Sequence, residues 1–142
     1  MNTTKDLNSL PSERSWALDY IGINWTPDFN CWDFAKWVLL DRLGIDAATA
    51  FDAIHNPLSI DDSGEAIANG LLGSWKEVSS PMPLHLCVMG KKDTLHHVGV
   101  VVDSDTIIHT NKGMPACCTS IEEIKTKFKT IKFYTYAKDH TG

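Results

Sequence analysis

The run His97-Val98-Gly99-Val100-Val101-Val102-Asp103-Ser104-Asp105-Thr106-Ile107-Ile108-His109 constrains the fold more than any other stretch of this chain. Two apolar, β-branched segments flank a turn-forming Asp-Ser-Asp, the pattern of a β-hairpin. Successive strand residues point to opposite sheet faces, so Val98, Val100 and Val102 share one face while His97, Gly99 and Val101 share the other. With a three-residue loop at 103–105, opposed residues carry numbers summing to 208, which pairs Gly99 with His109 and makes His97 its diagonal neighbour. Gly99 is then expected to leave open space between the two imidazoles. A plain two-residue loop would send the histidines to opposite faces.

Upstream lies Cys31, in Asn30-Cys31-Trp32-Asp33-Phe34. Phe34, Ala35, Val38, Leu39 and Leu43 recur at helical spacing after it, Gly44 stands at the C-cap position, and Asp28 or Asn30 can cap the start. A thiol in the first turn of a helix feels the positive end of the macrodipole and exposed N–H groups, which favour thiolate. Cys31 is therefore the candidate nucleophile and the thiol expected to react first. His97 is the candidate base and His109 the residue that orients it. Cys87 reads as a strand residue, Cys117 and Cys118 as structural thiols, and His55, His85 and His140 as ordinary loop or surface histidines. His96, beside His97, is assigned the opposite face by parity.

Cys31, His97 and His109 could also be three ligands of a zinc site, but such sites usually draw on short-spaced motifs such as His-Glu-x-x-His, and none occurs. No metal or cofactor is expected. Trp25 and Trp32 flank Cys31 and are candidate walls of a substrate cleft, whereas Trp37 falls near the apolar stripe of the helix.

The rest of the chain reads as helices followed by strands. A first helix opens at Leu10-Pro11-Ser12 and runs to about Ile21, with Trp16, Ala17, Tyr20 and Ile21 as its stripe, and Gly22 ends it. Helical pieces are expected over 46–54 and 61–72. From Trp75 onward strands are expected at 84–90, 95–102, 105–110 and 131–136, with a helix near 120–128 entered through Thr119 or Ser120. The fold class is α+β: N-terminal helices packed on a small antiparallel sheet. At 142 residues and 43% hydrophobic, the sequence is read as one domain, residues 1–142.

A net charge of −5 gives no basic footprint for nucleic acid; Lys125, Lys127, Lys129 and Lys132 read as a solvated face. No apolar run approaches the ~20 residues of a membrane span. The N-terminal stretch lacks the apolar region of a signal peptide, so synthesis in the cytoplasm is expected, and action outside it would require delivery.

The order of these elements, a cysteine opening a helix, then His-Val-Gly-hydrophobic in a strand, then Ile-His after a hairpin, resembles the NlpC-type cell-wall peptidases of the papain-like superfamily. The resemblance covers residues 20 to 136 and is strongest in the hairpin. It implies a papain-like NlpC-type fold and a cysteine peptidase or amidase acting on peptidoglycan stem peptides through Cys31, His97 and His109. Asn30-Cys31-Trp32-Asp33 stands where many members have Asp-Cys-Ser-Gly, a form closer to phage-encoded members. Leu84-His85 replaces the Gly-Asp that commonly opens the first barrel strand. The tyrosine often found at the oxyanion hole has no counterpart nearer than Asn24 or Trp25. Phage-tail proteins, or an immunity protein holding an exported antibacterial effector, are the partners this implies. Two other readings use the same residues: an acyltransferase with the same Cys/His site, and a non-catalytic phage assembly or binding module.

Overall fold

The computed structural model describes residues 14–44, 75–91 and 94–136. The expected helices over 46–54 and 61–72, the opening at Leu10-Pro11-Ser12, His55 and His140 lie outside the described residues.

The first helix ends near Ile21, as expected, but its last turn is tighter than its apolar stripe suggests. α1 (Arg14–Ala17) tightens into a 3₁₀ turn over Leu18–Tyr20, and Gly22 follows with φ 92°. Ala17 and Tyr20 are buried, but Ile21 is 45% exposed. Three residues per turn instead of 3.6 rotates the chain, and Ile21 leaves the stripe.

α2 (Cys31–Leu43) begins and ends on the residues that favour such boundaries. Asn30 is its N-cap, not Asp28: the Asn30 side-chain oxygen accepts the N–H groups of Trp32 and Asp33 at 3.0 and 3.2 Å, and the Asp33 carboxylate accepts the Asn30 N–H at 3.2 Å. This reciprocal capping box satisfies donors that the first turn leaves unpaired, and losing such a cap costs about 1 kcal/mol. At the other end Gly44, at φ 71°, donates its N–H to the Leu40 carbonyl. Phe34, Ala35, Val38 and Leu39 are buried, while Leu43 is exposed in the last turn.

Among the described residues, six strands form one antiparallel sheet: β1 (Trp75–Val78), β2 (Leu86–Lys91), β3 (Thr94–Asp103), β4 (Thr106–Asn111), β5 (Met114–Ser120) and β6 (Thr130–Tyr136), in the order β1-β6-β2-β3-β4-β5. α3 (Ile121–Lys127) joins β5 to β6, with Ser120 as N-cap accepting the Glu123 N–H. The class is α+β, as the sequence indicated. β1 and β5 lie outside the expected strands. Pro115 and the adjacent Cys117 and Cys118 of β5 do not read as a strand, but an edge position tolerates a residue without an N–H.

The sheet has a core on each face. Val98, Val100 and Val102 meet Tyr20, Phe34, Ala35, Val38 and Leu39 on the α2 side. On the other, Val101 and Ile107 meet Ile121 and Ile124 of α3 together with Cys87 and Met89. The alternation of β3 is thus a division between two helix-covered faces.

Candidate active site

The hairpin turn between β3 and β4 is two residues long, Ser104 and Asp105, not three. Asp103 opposes Thr106, but Val101 opposes Ile107 and Val100 opposes Ile108, so one extra residue, Val102, is absorbed on β3 as a bulge. The bulge restores the register that the longer loop was expected to supply. Gly99 consequently lies against His109, and the space there is closed. A Cβ on Gly99 would come within 3.0 Å of both His109 Cβ and the Ile108 carbonyl oxygen. The glycine admits the backbone-proximal part of His109 and brings its ring to His97.

The rings meet on one sheet face. His97 Nε2 lies 2.8 Å from His109 Nδ1, with ring centroids 5.0 Å apart. Phe128, just past α3, stacks on His97 at 5.6 Å with an interplanar angle of 11°. Both histidines are buried, at 3% and 4% exposure. Burial is the main reason that His97 is held well below the ordinary histidine range, followed by the neighbouring His109 and His96. His109 is lowered to about 4, mainly by burial, then by Lys127, with Glu123 acting in the opposite direction. At neutral pH the pair is uncharged.

A second bulge alters the expectation for His96. Met89 opposes His97 and Gly90 opposes Leu95, so His96 is the extra residue on β3. Its ring tilts against Phe128 at 5.9 Å, beside His97 rather than across the sheet from it. His96 Nε2 is buried without a hydrogen-bond partner.

Cys31 is the first residue of α2 and is only 7% exposed, within the α2-side core. The backbone N–H groups of Val98, of Trp32 and of Cys31 itself face its sulfur and favour the thiolate. Val98 follows His97 directly, so the start of α2 lies against the β3 segment that carries the candidate base. Burial nevertheless outweighs the N–H groups, and with Asp33 also raising it the thiol is pushed up to about 12. The expectation that the helix start alone would yield a thiolate is reversed by desolvation. Cys87 is pushed to about 12 by burial as well, whereas Cys118 is exposed.

Trp32 is fully buried in the α2-side core, so its indole packs the interior. Trp25 is half-buried and Asn24 exposed, both in the segment between Gly22 and Asn30. That segment is stitched to β5: Gly22 donates to the Ala116 carbonyl and Ala116 donates back to the Ile23 carbonyl, each at 2.8 Å. Leu84 adopts φ 68°, the left-handed region glycine prefers, where the resembled family commonly has Gly-Asp. It is pinned by its N–H to the Val101 carbonyl, at 2.8 Å.

Sequence reasoning missed Thr119. Its hydroxyl oxygen lies 3.0 Å from His109 Nε2 and 3.7 Å from Cys117 Sγ. Thr119 stands in β5 next to Ser120, the N-cap of α3, so in the sequence it reads as a helix-cap candidate. Among the described residues, no three His, Cys, Asp or Glu side chains converge in a way that could hold a metal ion. No described helix is long and apolar enough to cross a membrane.

No family model and no curated relative matches the sequence. Among solved structures the fold is similar to the NlpC/p60 domain of the peptidoglycan hydrolase SagA: TM-score 0.55, 18% identity, 86% of this chain and 95% of that one covered. The chain thus has an NlpC/p60-like α+β fold.

Proposed function

We propose that the protein is a cysteine peptidase or amidase that hydrolyses an amide bond in peptidoglycan stem peptides. The observation that carries this reading is the His97 Nε2–His109 Nδ1 contact on the strand whose next residue, Val98, turns its N–H toward the Cys31 sulfur. Peptidoglycan as substrate rests on the similarity to the SagA domain and on the Cys, His, His order of the sequence.

In this mechanism the resting site is neutral, with the thiol and both imidazoles uncharged, and the proton moves during attack. His109 occupies His97 Nε2, which leaves Nδ1 to take the Cys31 proton. The sulfur attacks the amide carbonyl, and the Cys31 N–H helps to stabilise the oxyanion. The imidazolium of His97 passes its proton to the leaving amine, and water, deprotonated by His97, releases the acyl group from Cys31. Burial works against a charged intermediate on His97, so its cost has to be met by His109 at 2.8 Å. Trp25 is the candidate cleft wall.

The Cys-Trp-Asp form of the nucleophile segment leads us to a phage-tail enzyme as the route to the wall, with an exported effector held by an immunity protein as the alternative. The low exposure of Cys31 favours a second reading, a non-catalytic module on the same fold. Digestion of purified peptidoglycan with mass analysis of the fragments separates the two. Stem peptides cut at an amide bond by the wild type and left whole by Cys31→Ala support the peptidase. Intact peptides with both proteins support the module, and a fragment joined to an added amine instead of water identifies an acyltransferase.

A further inference from the structure

We infer that Thr119 is a positioning residue that fixes the proton of His109 on Nε2 and thereby keeps Nδ1 of His97 free to accept a proton. The inference rests on the proposed peptidase reading for its catalytic consequence, but not for its effect on His109.

The placement repeats the logic of the hairpin one strand further on. On β4 and β5, Ile107 opposes Thr119 and His109 opposes Cys117, so Thr119 is diagonal to His109 just as His109 is diagonal to His97. Diagonal partners on one face lie within side-chain reach. The result is a row across three strands: His97 Nε2 to His109 Nδ1 at 2.8 Å, His109 Nε2 to Thr119 Oγ1 at 3.0 Å, Thr119 Oγ1 to Cys117 Sγ at 3.7 Å.

A neutral imidazole carries one proton, and which nitrogen holds it is set by the partner of the other. The row can be ordered in two directions. If His109 is protonated on Nδ1, it donates to His97 Nε2, and His97 must carry its own proton on Nδ1, where it is useless as a base. If His109 is protonated on Nε2, it donates to Thr119 and accepts from His97 Nε2–H, which leaves His97 Nδ1 as an acceptor. In the second order, the one assigned to this site, the Thr119 hydroxyl accepts from His109 Nε2–H and has the Cys117 sulfur, 3.7 Å away, as an acceptor for its own proton. The β-branched side chain of threonine holds few rotamers, so the oxygen is aimed at His109 by its strand.

The test uses the full chain with ¹⁵N-labelled histidine, comparing wild type, Thr119→Val and Thr119→Ser. Valine keeps the shape and the branching and removes only the hydroxyl. Ring ¹⁵N spectra report which nitrogen of His109 is protonated, independently of turnover. The wild type is expected to show His109 protonated on Nε2. Thr119→Val should show a mixture with the Nδ1 form, with kcat on peptidoglycan peptides down about tenfold, at the low end for a partner that orients a functional histidine, and KM within about twofold. Thr119→Ser should restore both. Wild-type His109 protonated on Nδ1, an unchanged tautomer in Thr119→Val, or equal losses in both variants would overturn the inference. If the wild type cuts no amide bond while the tautomer still shifts, the peptidase reading falls and the role of Thr119 at His109 stands.

Discussion

Replacing Gly99 by alanine tests the histidine geometry with a single methyl group. The added Cβ would lie 3.0 Å from His109 Cβ, 3.0 Å from the Ile108 carbonyl oxygen and 3.2 Å from Ile107 Cδ1. Only the isoleucine methyl can rotate aside, since the other two atoms are fixed by β4. Overpacking of this kind costs about 1–3 kcal/mol, and replacing a glycine inside a strand returns about 0.5–1 kcal/mol. The net loss centres on about 1 kcal/mol, or roughly 3 °C in Tm for a domain of this size. The larger effect falls on the site. β4 must move away from β3 to make room, and the 2.8 Å contact between the rings lengthens with it. Turnover should fall about tenfold or more, since positional errors of this order are costly to a catalytic constellation. Thermal unfolding by circular dichroism and kcat from released peptides measure the two effects on one preparation. A Gly99→Ala protein that melts at or above the wild-type temperature with full turnover would refute the close-packed account of this site.

Iodoacetamide at neutral pH should modify exposed Cys118 before Cys31 or Cys87, both buried and pushed to about 12; mass mapping that finds Cys31 labelled first would contradict the burial argument. His97→Ala should lose ~10²–10⁴-fold in turnover, His109→Ala less, because water can stand in for part of an orienting partner, and His96→Ala very little. A dead His96→Ala would show that the second bulge, not the strand parity beyond it, selects the base. Stability should fall on acidification: His109 is lowered from 6.5 to about 4, so the unfolded chain binds its proton first as pH drops. The stabilisation is complete above about pH 6.5 and lost by about pH 4, ~3 kcal/mol for this one group, and His97 adds in the same direction. Urea unfolding at pH 7 and pH 5 should show a shallower dependence in His109→Gln; equal slopes for the two proteins would count against it.

The parts of the site that depend on local rules were legible in the sequence. Asn30 and Gly44 bound a helix because one accepts first-turn N–H groups and the other adopts a left-handed φ, and both requirements are written in residue type. The valine alternation of β3 likewise announced two faces. What escaped were features set by the neighbours. Nothing in Leu95-His96-His97 or Val101-Val102-Asp103 marks a bulge, yet the two bulges decide where His96 points and keep His97 beside His109. The thiolate expectation for Cys31 failed for the same reason: the helix start is local, but burial under the α2-side core is not. Thr119 was hidden because Met114-Pro115-Ala116-Cys117-Cys118 has weak strand character, and only the edge of a sheet tolerates it.

The stitching of Gly22 and Ile23 to Ala116 closes a circuit. From β5 the hydrogen bonds lead into the segment that ends at Asn30, the helix it caps leads to Cys31, the sulfur leads to Val98 of β3, and the histidine row leads back to Thr119 of β5. The thiol and the far end of the row are therefore two points on one closed frame, and the stretch from Asn24 to Phe29 is the strut that sets their spacing. A strut of that kind has a fixed length: residues within it can be exchanged, but one inserted or removed would shift the nucleophile and the histidine row against each other.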